Sequence, residues 1–128
     1  MSIKRFGSSG SSGAGGQKLP FSKAVQAGGF LYVSGQVAMD ENGEIVSGGI
    51  VKQAHQAIEN IKKILEEYGY TMKDVVKVNV WLDDERDFWS FNKVFAEHFG
   101  DNPPARSTVC SSLVVDAKIE IDVVAYKA

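Results

Sequence analysis

The alternating segment "DVVKVNVWL", residues 74–82, constrains the fold of this chain more than any other stretch. Successive side chains of a β-strand point to opposite faces of the sheet. One face of this segment is therefore entirely aliphatic and consists of Val76, Val78, Val80 and Leu82. The opposite face carries Lys77, Asn79 and Trp81. A strand of this kind has two different neighbours, so the segment predicts a sheet with a hydrophobic core against one face.

Four further segments are typical of strands. The stretch "FSKAVQAGGFLYVSGQVAM" contains two strand-like runs around Gly28 and Gly29, which is the signal of a hairpin. Two more strands, "RSTVCSSLVV" and "KIEIDVVAY", follow near the C-terminus. In the last one the aliphatic residues share a face: Ile119, Ile121, Val123 and Ala125. Glu120 and Asp122 are predicted on its opposite face.

Two helices are predicted between these strands. The first runs from Ile50 to about Tyr68, where Gly69 is placed to end it. Its apolar residues recur at helical spacing: Ile50, Ala54, Ile58, Ile61, Ile64 and Leu65. The second runs from about Glu85 to Phe99, with Asp84 as its cap and Gly100 as its stop. Its buried stripe consists of Phe88, Phe91, Phe95 and Phe99.

The order of elements is β-β-α-β-α-β-β, which predicts an α+β fold with two helices on one face of a mixed sheet. The helices cover the face of Val78 and Val80. The other face would carry a mixture of residues: Trp81, Asn79, Thr108, Glu120, Val124 and Tyr126. Such a face is too apolar for simple exposure, so we predict that it is covered in a closed homo-oligomer.

Length and composition predict one domain, residues 19–128, preceded by a flexible Ser/Gly-rich lead, residues 1–18. The lead matches no phosphate-loop spacing and follows no predicted strand. A single cysteine, Cys110, agrees with a reducing compartment, and no run approaches the roughly 20 apolar residues of a membrane helix. We therefore expect a cytoplasmic protein. A net charge of −2 without a basic stripe makes nucleic acid an unexpected partner.

Metal and nucleophile chemistry find little support in the sequence. His55 and Glu59 are four residues apart on a predicted helix, but the other histidine, His98, lies on a different helix. A solvated helix face is favoured over a metal site, because a catalytic zinc site has three protein ligands. Ser34 and Cys110 stand in no nucleophile signature. The acidic charge and the lack of a histidine pair also argue against RNA cleavage.

Arg106 in "NPPARSTVC" is the first candidate for a binding role. Pro103 and Pro104 restrict the backbone before it, so the side chain is held by a stiff segment. Its planar donors match a carboxylate or phosphate in two-point geometry. The alternative is a structural salt bridge to Glu120 or Asp122, and the residues by themselves slightly favour that alternative.

Glu120 leaves a similar choice. It lies on the face that needs covering, at an expected cross-strand distance from Thr108 and Arg106. The carboxylate either pairs with Arg106 or positions a water molecule for attack, a role that suits a partly desolvated glutamate. The residues alone do not decide between the two.

The chain resembles the Rid family of reactive-intermediate deaminases, also called the YjgF family, from about Leu19 to the C-terminus. The resemblance is carried by "YVSGQV", "QAIENIKKILEEYGY", "DVVKVNVWLDDERDFWSFNKVF", "PPARSTV" and "KIEIDVVAY". It implies a chorismate-mutase-like fold and a homotrimer whose sheets form a central barrel, with active sites between subunits. It also implies hydrolysis of enamines and imines of the 2-aminoacrylate type to 2-oxo acids and ammonia, as by a 2-iminobutanoate/2-iminopropanoate deaminase. Neither a metal nor an organic cofactor is expected.

The resemblance further implies roles for individual residues. Arg106 would bind the substrate carboxylate, and Glu120 would hold or activate the hydrolytic water. Ser34, Gly35 and Thr108 would border the substrate, the last two through their backbone. Asn92 matches a family position near the cleft.

Phe21 in "LPFSKAV" departs from the family, because many members have a tyrosine there. The ring can still pack, but any hydrogen bond from the hydroxyl to substrate or water is lost. The segment "SSLVVDAK" is also shorter than usual and lacks a common proline. These departures leave a non-catalytic, ligand-binding or chaperone-like trimer as the first alternative to a deaminase. An endoribonuclease or translation inhibitor is the second.

Overall fold

The computed structural model describes residues 2–7 and 19–128 as one mixed sheet with two helices. The strands are β1 (Ile3–Phe6), β2 (Ala24–Ala27), β3 (Phe30–Val37), β4 (Val75–Leu82), β5 (Ala105–Cys110) and β6 (Ile119–Tyr126). The helices are α1 (Ile50–Glu67) and α2 (Phe88–Phe99). The strand order is β1-β2-β3-β6-β4-β5, in which β4 and β5 are parallel and the other pairs antiparallel. The predicted α+β fold is confirmed.

The first strand corrects the predicted domain boundary. The predicted flexible lead covers residues 1–18, but Ile3–Phe6 pairs with β2 as an edge strand. The Phe6 ring stacks on Tyr68 with 4.1 Å between ring centroids, which ties this strand to the end of α1. Four residues are too few to show an alternating pattern, so no strand is predicted here from the sequence. The remainder of the predicted lead, residues 8–18, lies outside the described residues.

The core lies between α1, α2 and one face of the sheet. Helix α1 packs against β3, β6 and α2. The buried residues of β4 and β6 alternate as predicted, with one exception at the start of β4. The register shifts between Val75 and Lys77, so that Val75 is buried and Val76 is 46% exposed. The prediction that Val76 faces the core is therefore wrong, because a local bulge offsets the alternation there.

Helix α2 has a separate first turn. Residues Glu85–Asp87 form a 3-10 turn, and the Asp84 carboxylate accepts a hydrogen bond of 2.9 Å from the backbone N–H of Arg86. Asp84 therefore caps this turn, as predicted, and the α-helix begins at Phe88. The buried residues of α2 are Phe91, Val94, Phe95 and Phe99, while Phe88 is only partly buried. Gly100 ends the helix at φ +25°.

The register of β5 decides which face its side chains occupy. Arg106 lies beside Val78 and Thr108 beside Val80, so both side chains are on the helix-covered face. The expectation that Thr108 shares the open face with Glu120 is wrong. Ser107 is on the open face, where its hydroxyl accepts a 3.2 Å hydrogen bond from Lys77. The segment "RSTVC" has no apolar alternation from which the face could have been read.

The open face of the sheet carries exposed aromatic residues. Phe30, Tyr32 and Tyr126 are 40%, 47% and 44% exposed, and their rings form a contiguous cluster. In the part of the chain that the structure describes, no helix is long and apolar enough to cross a membrane.

Candidate active site

The Arg106 side chain packs against three aromatic rings of α2. Its guanidinium carbon is 4.7, 5.1 and 5.8 Å from the ring centroids of Phe95, Phe91 and Phe88. A guanidinium is attracted to the face of an aromatic ring at such distances. The three rings therefore support and orient the cation without neutralising it.

Asn92 fixes one end of the guanidinium. A terminal N–H of Arg106 donates a hydrogen bond of 2.7 Å to Oδ1 of Asn92 on α2. Arg106 forms no ion pair with any residue that the structure describes. Burial lowers the pKa of Arg106 from its ordinary value, which is so high that the side chain remains a cation. Most of its five N–H donors are thus available to an anion.

The alternative of a structural salt bridge is wrong. Glu120 and Asp122 are on β6, and β4 lies between β6 and β5. Both acidic residues face the open side of the sheet, whereas Arg106 faces the helices. The sheet backbone separates the charges.

A cleft of about 370 Å³ opens beside Arg106. Its walls come from α2 and from the stiff segment before β5: Asn92, Phe95, Ala96, Phe99, Gly100, Pro103 and Pro104. Farther along the same face of β5, the hydroxyl oxygen of Thr108 is buried and has no hydrogen-bond partner among the described residues. A small ligand with a carboxylate would find a cation and an unpaired hydroxyl on one strand face.

The other predicted site residues meet on the opposite face, around a bulge in β3. The register shift between Val33 and Gln36 contains Ser34 and Gly35. The Glu120 carboxylate lies directly over Gly35: a Cβ at Gly35 would be 2.5 Å from Oε2 of Glu120. Only glycine leaves this space free, so Gly35 sets the position of the carboxylate.

Ser34 and Phe21 belong to the same region. The Ser34 hydroxyl donates a hydrogen bond of 2.6 Å to the carbonyl of Ser22, next in sequence to Phe21. The Phe21 side chain is 53% exposed. Because Phe21 precedes Ser22 in the chain, it is held near the bulge, and its apolar ring is exposed to solvent.

Burial raises the pKa of Glu120, and the neighbouring charge of Asp122 raises it further. Asp122 accepts a 3.0 Å hydrogen bond from the Asn79 amide, and burial raises its pKa as well. A carboxyl with a raised pKa exchanges protons more readily near neutral pH. The interaction between Asn79 and Asp122 was not foreseen from the sequence, although both residues were assigned to this face.

The predicted site residues therefore form two groups. Arg106, Asn92 and Thr108 lie on the helix-covered face, while Glu120, Gly35 and Ser34 lie on the open face. One copy of the chain does not bring these two groups into a single site.

The two histidines form a pair that the sequence analysis missed. Nδ1 of His55 and Nε2 of His98 are 2.9 Å apart and join α1 to α2, with Glu97 3.6 Å from His55. The statement that the chain lacks a histidine pair is therefore wrong. The pair was hidden because it joins residues 43 positions apart. Among the described residues no three potential ligands are grouped as a metal site.

Acidification should weaken this pair. The pKa of His98 is lowered, mainly by burial and then by the neighbouring His55. Glu59 and Glu97 oppose this shift, and Lys62 adds slightly to it. A histidine with a depressed pKa stabilises the fold above its unfolded pKa of about 6.5, and this stability is lost as pH falls. We expect Tm to fall between pH 7.5 and 5.5 by about 2 °C more in the wild type than in His98→Gln. Calorimetry at both pH values measures this difference, and an equal fall in the two proteins would contradict it.

Comparison with known proteins gives a consistent result. Residues 15–127 match the family described as Endoribonuclease L-PSP. A RutC family protein of Pyrococcus horikoshii is 50% identical over 110 residues, which are 84% of this chain and 87% of that protein. A 2-iminobutanoate/2-iminopropanoate deaminase of Dermatophagoides farinae is 43% identical and covers 80% of this chain and 82% of its own length. The crystal structure of yeast Mmf1 matches with a TM-score of 0.87 at 34% identity, covering 99% of this chain and 100% of that one.

Proposed function

The chain belongs to the Endoribonuclease L-PSP family, which is the YjgF or Rid family that its motifs resemble, and from this premise we propose that it hydrolyses reactive 2-imino acids to 2-oxo acids and ammonia. The observation that carries the proposal is Arg106, a part-buried cation that has no carboxylate partner among the described residues. Relatives that are 37% to 43% identical are named as deaminases of this kind. Enamines such as 2-aminoacrylate enter the reaction after protonation to the imine.

Arg106 binds the substrate carboxylate through two parallel N–H donors. Asn92 already occupies one donor of the guanidinium and so fixes its plane. The hydroxyl of Thr108, on the same face of β5, is buried and has no hydrogen-bond partner among the described residues. A two-point clamp of this kind orients the neighbouring imine carbon as well as binding the acid.

Glu120 reaches the substrate from a second copy of the chain. Because Arg106 and Glu120 lie on opposite faces of one sheet, a site that contains both needs another subunit. The exposed cluster of Phe30, Tyr32 and Tyr126 on the Glu120 face is the kind of surface that subunits cover. We therefore propose a closed homo-oligomer, and a homotrimer in particular, with its sites between subunits.

The reaction adds water across the C=N bond and then breaks the C–N bond. Glu120 accepts a proton from water while the water oxygen bonds to C2 of the imine. The protonated glutamic acid then donates this proton to the nitrogen, which has taken up the C=N π electrons, and an amino alcohol forms. Glu120 next accepts the proton of the C2 hydroxyl and passes it to the amino nitrogen. The C2–N electron pair leaves with ammonia as the carbonyl of the 2-oxo acid forms. A carboxyl with a raised pKa suits both proton transfers.

Such a site needs to supply only a modest acceleration. Imines of this type hydrolyse in water without a catalyst, and a positioned acid-base group contributes about 10²–10⁴-fold. Orientation of the substrate and water adds to this factor. A carboxylate clamp and one glutamate are chemically sufficient.

The direct test is ammonia release from 2-aminoacrylate that a dehydratase generates in the assay. The purified protein should accelerate ammonia release above the spontaneous rate. A second candidate, a binding protein without turnover, is favoured by Phe21, whose exposed ring has no hydroxyl. Calorimetric binding of 2-oxobutyrate without faster ammonia release would support that candidate and reject hydrolysis.

Gly35→Ala should impair turnover because the new methyl group displaces the Glu120 carboxylate. A displacement of about 1 Å in a catalytic group can reduce the rate by about 100-fold. We expect a fall in kcat of about 10–100-fold. Gly49→Ala is the matched control, since no atom lies within 4 Å of its added Cβ. Equal rates for the two variants would show that the position of Glu120 over Gly35 is irrelevant to turnover.

Mixed oligomers test whether two chains share a site. Arg106→Ala and Glu120→Gln should each be inactive, but their equal mixture, after unfolding and refolding together, should recover activity. Each required side chain is intact at half of the positions, so about one quarter of the sites (one half times one half) contain both. Arg106→Ala mixed with the doubly substituted chain is the control and should stay inactive. Failure of the first mixture to recover any activity, with trimers present by sedimentation, would reject a shared site.

A further inference from the structure

A second cleft opens where β4 and β5 end, beside the first turn of α2. Its volume is about 290 Å³, and its lining is mainly apolar: Leu82, Phe88, Trp89, Val109 and Cys110, with Thr108 and Glu85 as polar members. This cleft contributes none of the groups that the proposed hydrolysis uses directly, apart from Thr108. Its size is sufficient for a six-membered ring, and its aromatic walls are suited to one.

Trp89 is the unusual residue of this cleft. It lies in the first turn of α2 and is 75% exposed, although indole is a large apolar group. The indole ring packs edge-on against Phe88, with 5.2 Å between the ring centroids. Trp89 is thus supported by a neighbouring ring but left uncovered. A ring held in this way can form one wall of a site for an apolar ligand.

Phe88 connects this cleft to Arg106. One ring carries the indole contact, and the Arg106 guanidinium lies 5.8 Å from the centroid of the same ring. Along β5, Thr108 follows Arg106 by two residues on the same face, a distance of about 7 Å. A ligand whose carboxylate is on Arg106 therefore has its remaining atoms within reach of Thr108 and the rings of Phe88 and Trp89.

The polar members of the cleft restrict what can enter it. The buried hydroxyl of Thr108 has no partner among the described residues, and it can accept a hydrogen bond from an imine N–H. Glu85, the acidic residue of the lining, disfavours a second negative charge on the ligand. An aromatic side chain on the ligand would contact the apolar residues of the lining, whereas a methyl group would leave most of them without contact.

On the premise of the proposed function, we propose that this cleft binds the substrate side chain and that the protein prefers 2-imino acids with an aromatic side chain over those with a small one. Arg106 binds the carboxylate, Thr108 faces the imine, and Phe88 and Trp89 hold the ring. Trp89 is then a residue that determines specificity, and no earlier step of the hydrolysis requires it.

The experiment compares imines that an amino-acid oxidase generates from L-phenylalanine and L-alanine, with semicarbazide as the competing trap. We expect kcat/KM for the phenylalanine-derived imine to exceed that for the alanine-derived imine by roughly tenfold or more, after subtraction of spontaneous hydrolysis. Trp89→Ala should lower this ratio by roughly tenfold, and Trp89→Phe should restore most of it. Val51→Ala is the control, because Val51 is an exposed apolar residue on α1 outside this cleft, and it should leave the ratio unchanged.

A binding measurement separates this inference from the proposed function. We expect phenylpyruvate to bind the wild type roughly tenfold more tightly than pyruvate by calorimetry, and Trp89→Ala to remove the difference. This preference without turnover of either imine would retain the cleft assignment and reject hydrolysis. Hydrolysis with no preference between the two imines, and equal binding of the two 2-oxo acids, would overturn the cleft assignment and retain hydrolysis.

Discussion

Replacement of Arg106 by lysine should lower kcat/KM for imine hydrolysis by about 100-fold. A charge-assisted hydrogen bond contributes about 1.5–3 kcal/mol, and lysine cannot form the second, parallel one. Lysine also loses the flat contact with the three phenylalanine rings and the fixed geometry that the hydrogen bond to Asn92 provides. Steady-state ammonia release over a range of substrate concentrations measures the effect.

Arg86→Lys is the matched control for this substitution. Arg86 is an exposed arginine whose guanidinium pairs with Asp84 at 2.7 Å, outside both clefts. We expect its kcat/KM to stay within about twofold of the wild type, as for most surface substitutions. Calorimetric Tm values for both variants exclude unfolding as the cause of a loss. A fully active, folded Arg106→Lys protein would remove the carboxylate clamp from the mechanism.

Replacement of Glu120 by glutamine should lower kcat by about 10²–10⁴-fold, because the amide cannot accept a proton from water. The KM should change little, since the carboxylate of the substrate is bound elsewhere. In the wild type, kcat/KM should rise with pH as Glu120 ionises, with its midpoint above the ordinary glutamate value, because burial and Asp122 raise this pKa. Stopped assays from pH 4.5 to 8 measure the profile.

Asp122→Asn provides the matched control on the same strand and face. It removes the negative charge that raises the pKa of Glu120 but leaves the Glu120 carboxylate in place. The rising limb of the pH profile should therefore move to lower pH, and activity at neutral pH should persist. If Glu120→Gln were as active as Asp122→Asn at neutral pH, Glu120 would not be the proton acceptor.

The parts of the fold with regular patterns were predictable from the sequence. The aliphatic alternation of β6 and the helical spacing in α1 placed these elements correctly, because burial on one face leaves a periodic trace. The faces of β5 could not be predicted, since its small polar residues suit either side of a sheet. Its register depends on pairing with β4, a contact between residues about 30 positions apart.

The site was predictable as a set of residues but not as an arrangement. Arg106 was singled out by its prolines, and Glu120 by its place on the mixed face. Their separation by the sheet depends on the strand order, in which β4 is inserted between β5 and β6. Asn92 and three phenylalanines contact Arg106 only because α2 is rotated about its axis to present them to the sheet. A stripe of apolar residues defines this rotation only coarsely.

The sheet separates Arg106 from Glu120, and this separation has a consequence for how the protein responds to its own concentration. On the proposed function, a lone subunit carries both kinds of catalytic group and yet completes no site. Specific activity should then decline on dilution below the dissociation constant of the subunits and return on concentration. A newly made chain would acquire activity at assembly rather than at folding, so the supply of subunits would set when reactive imines begin to be removed.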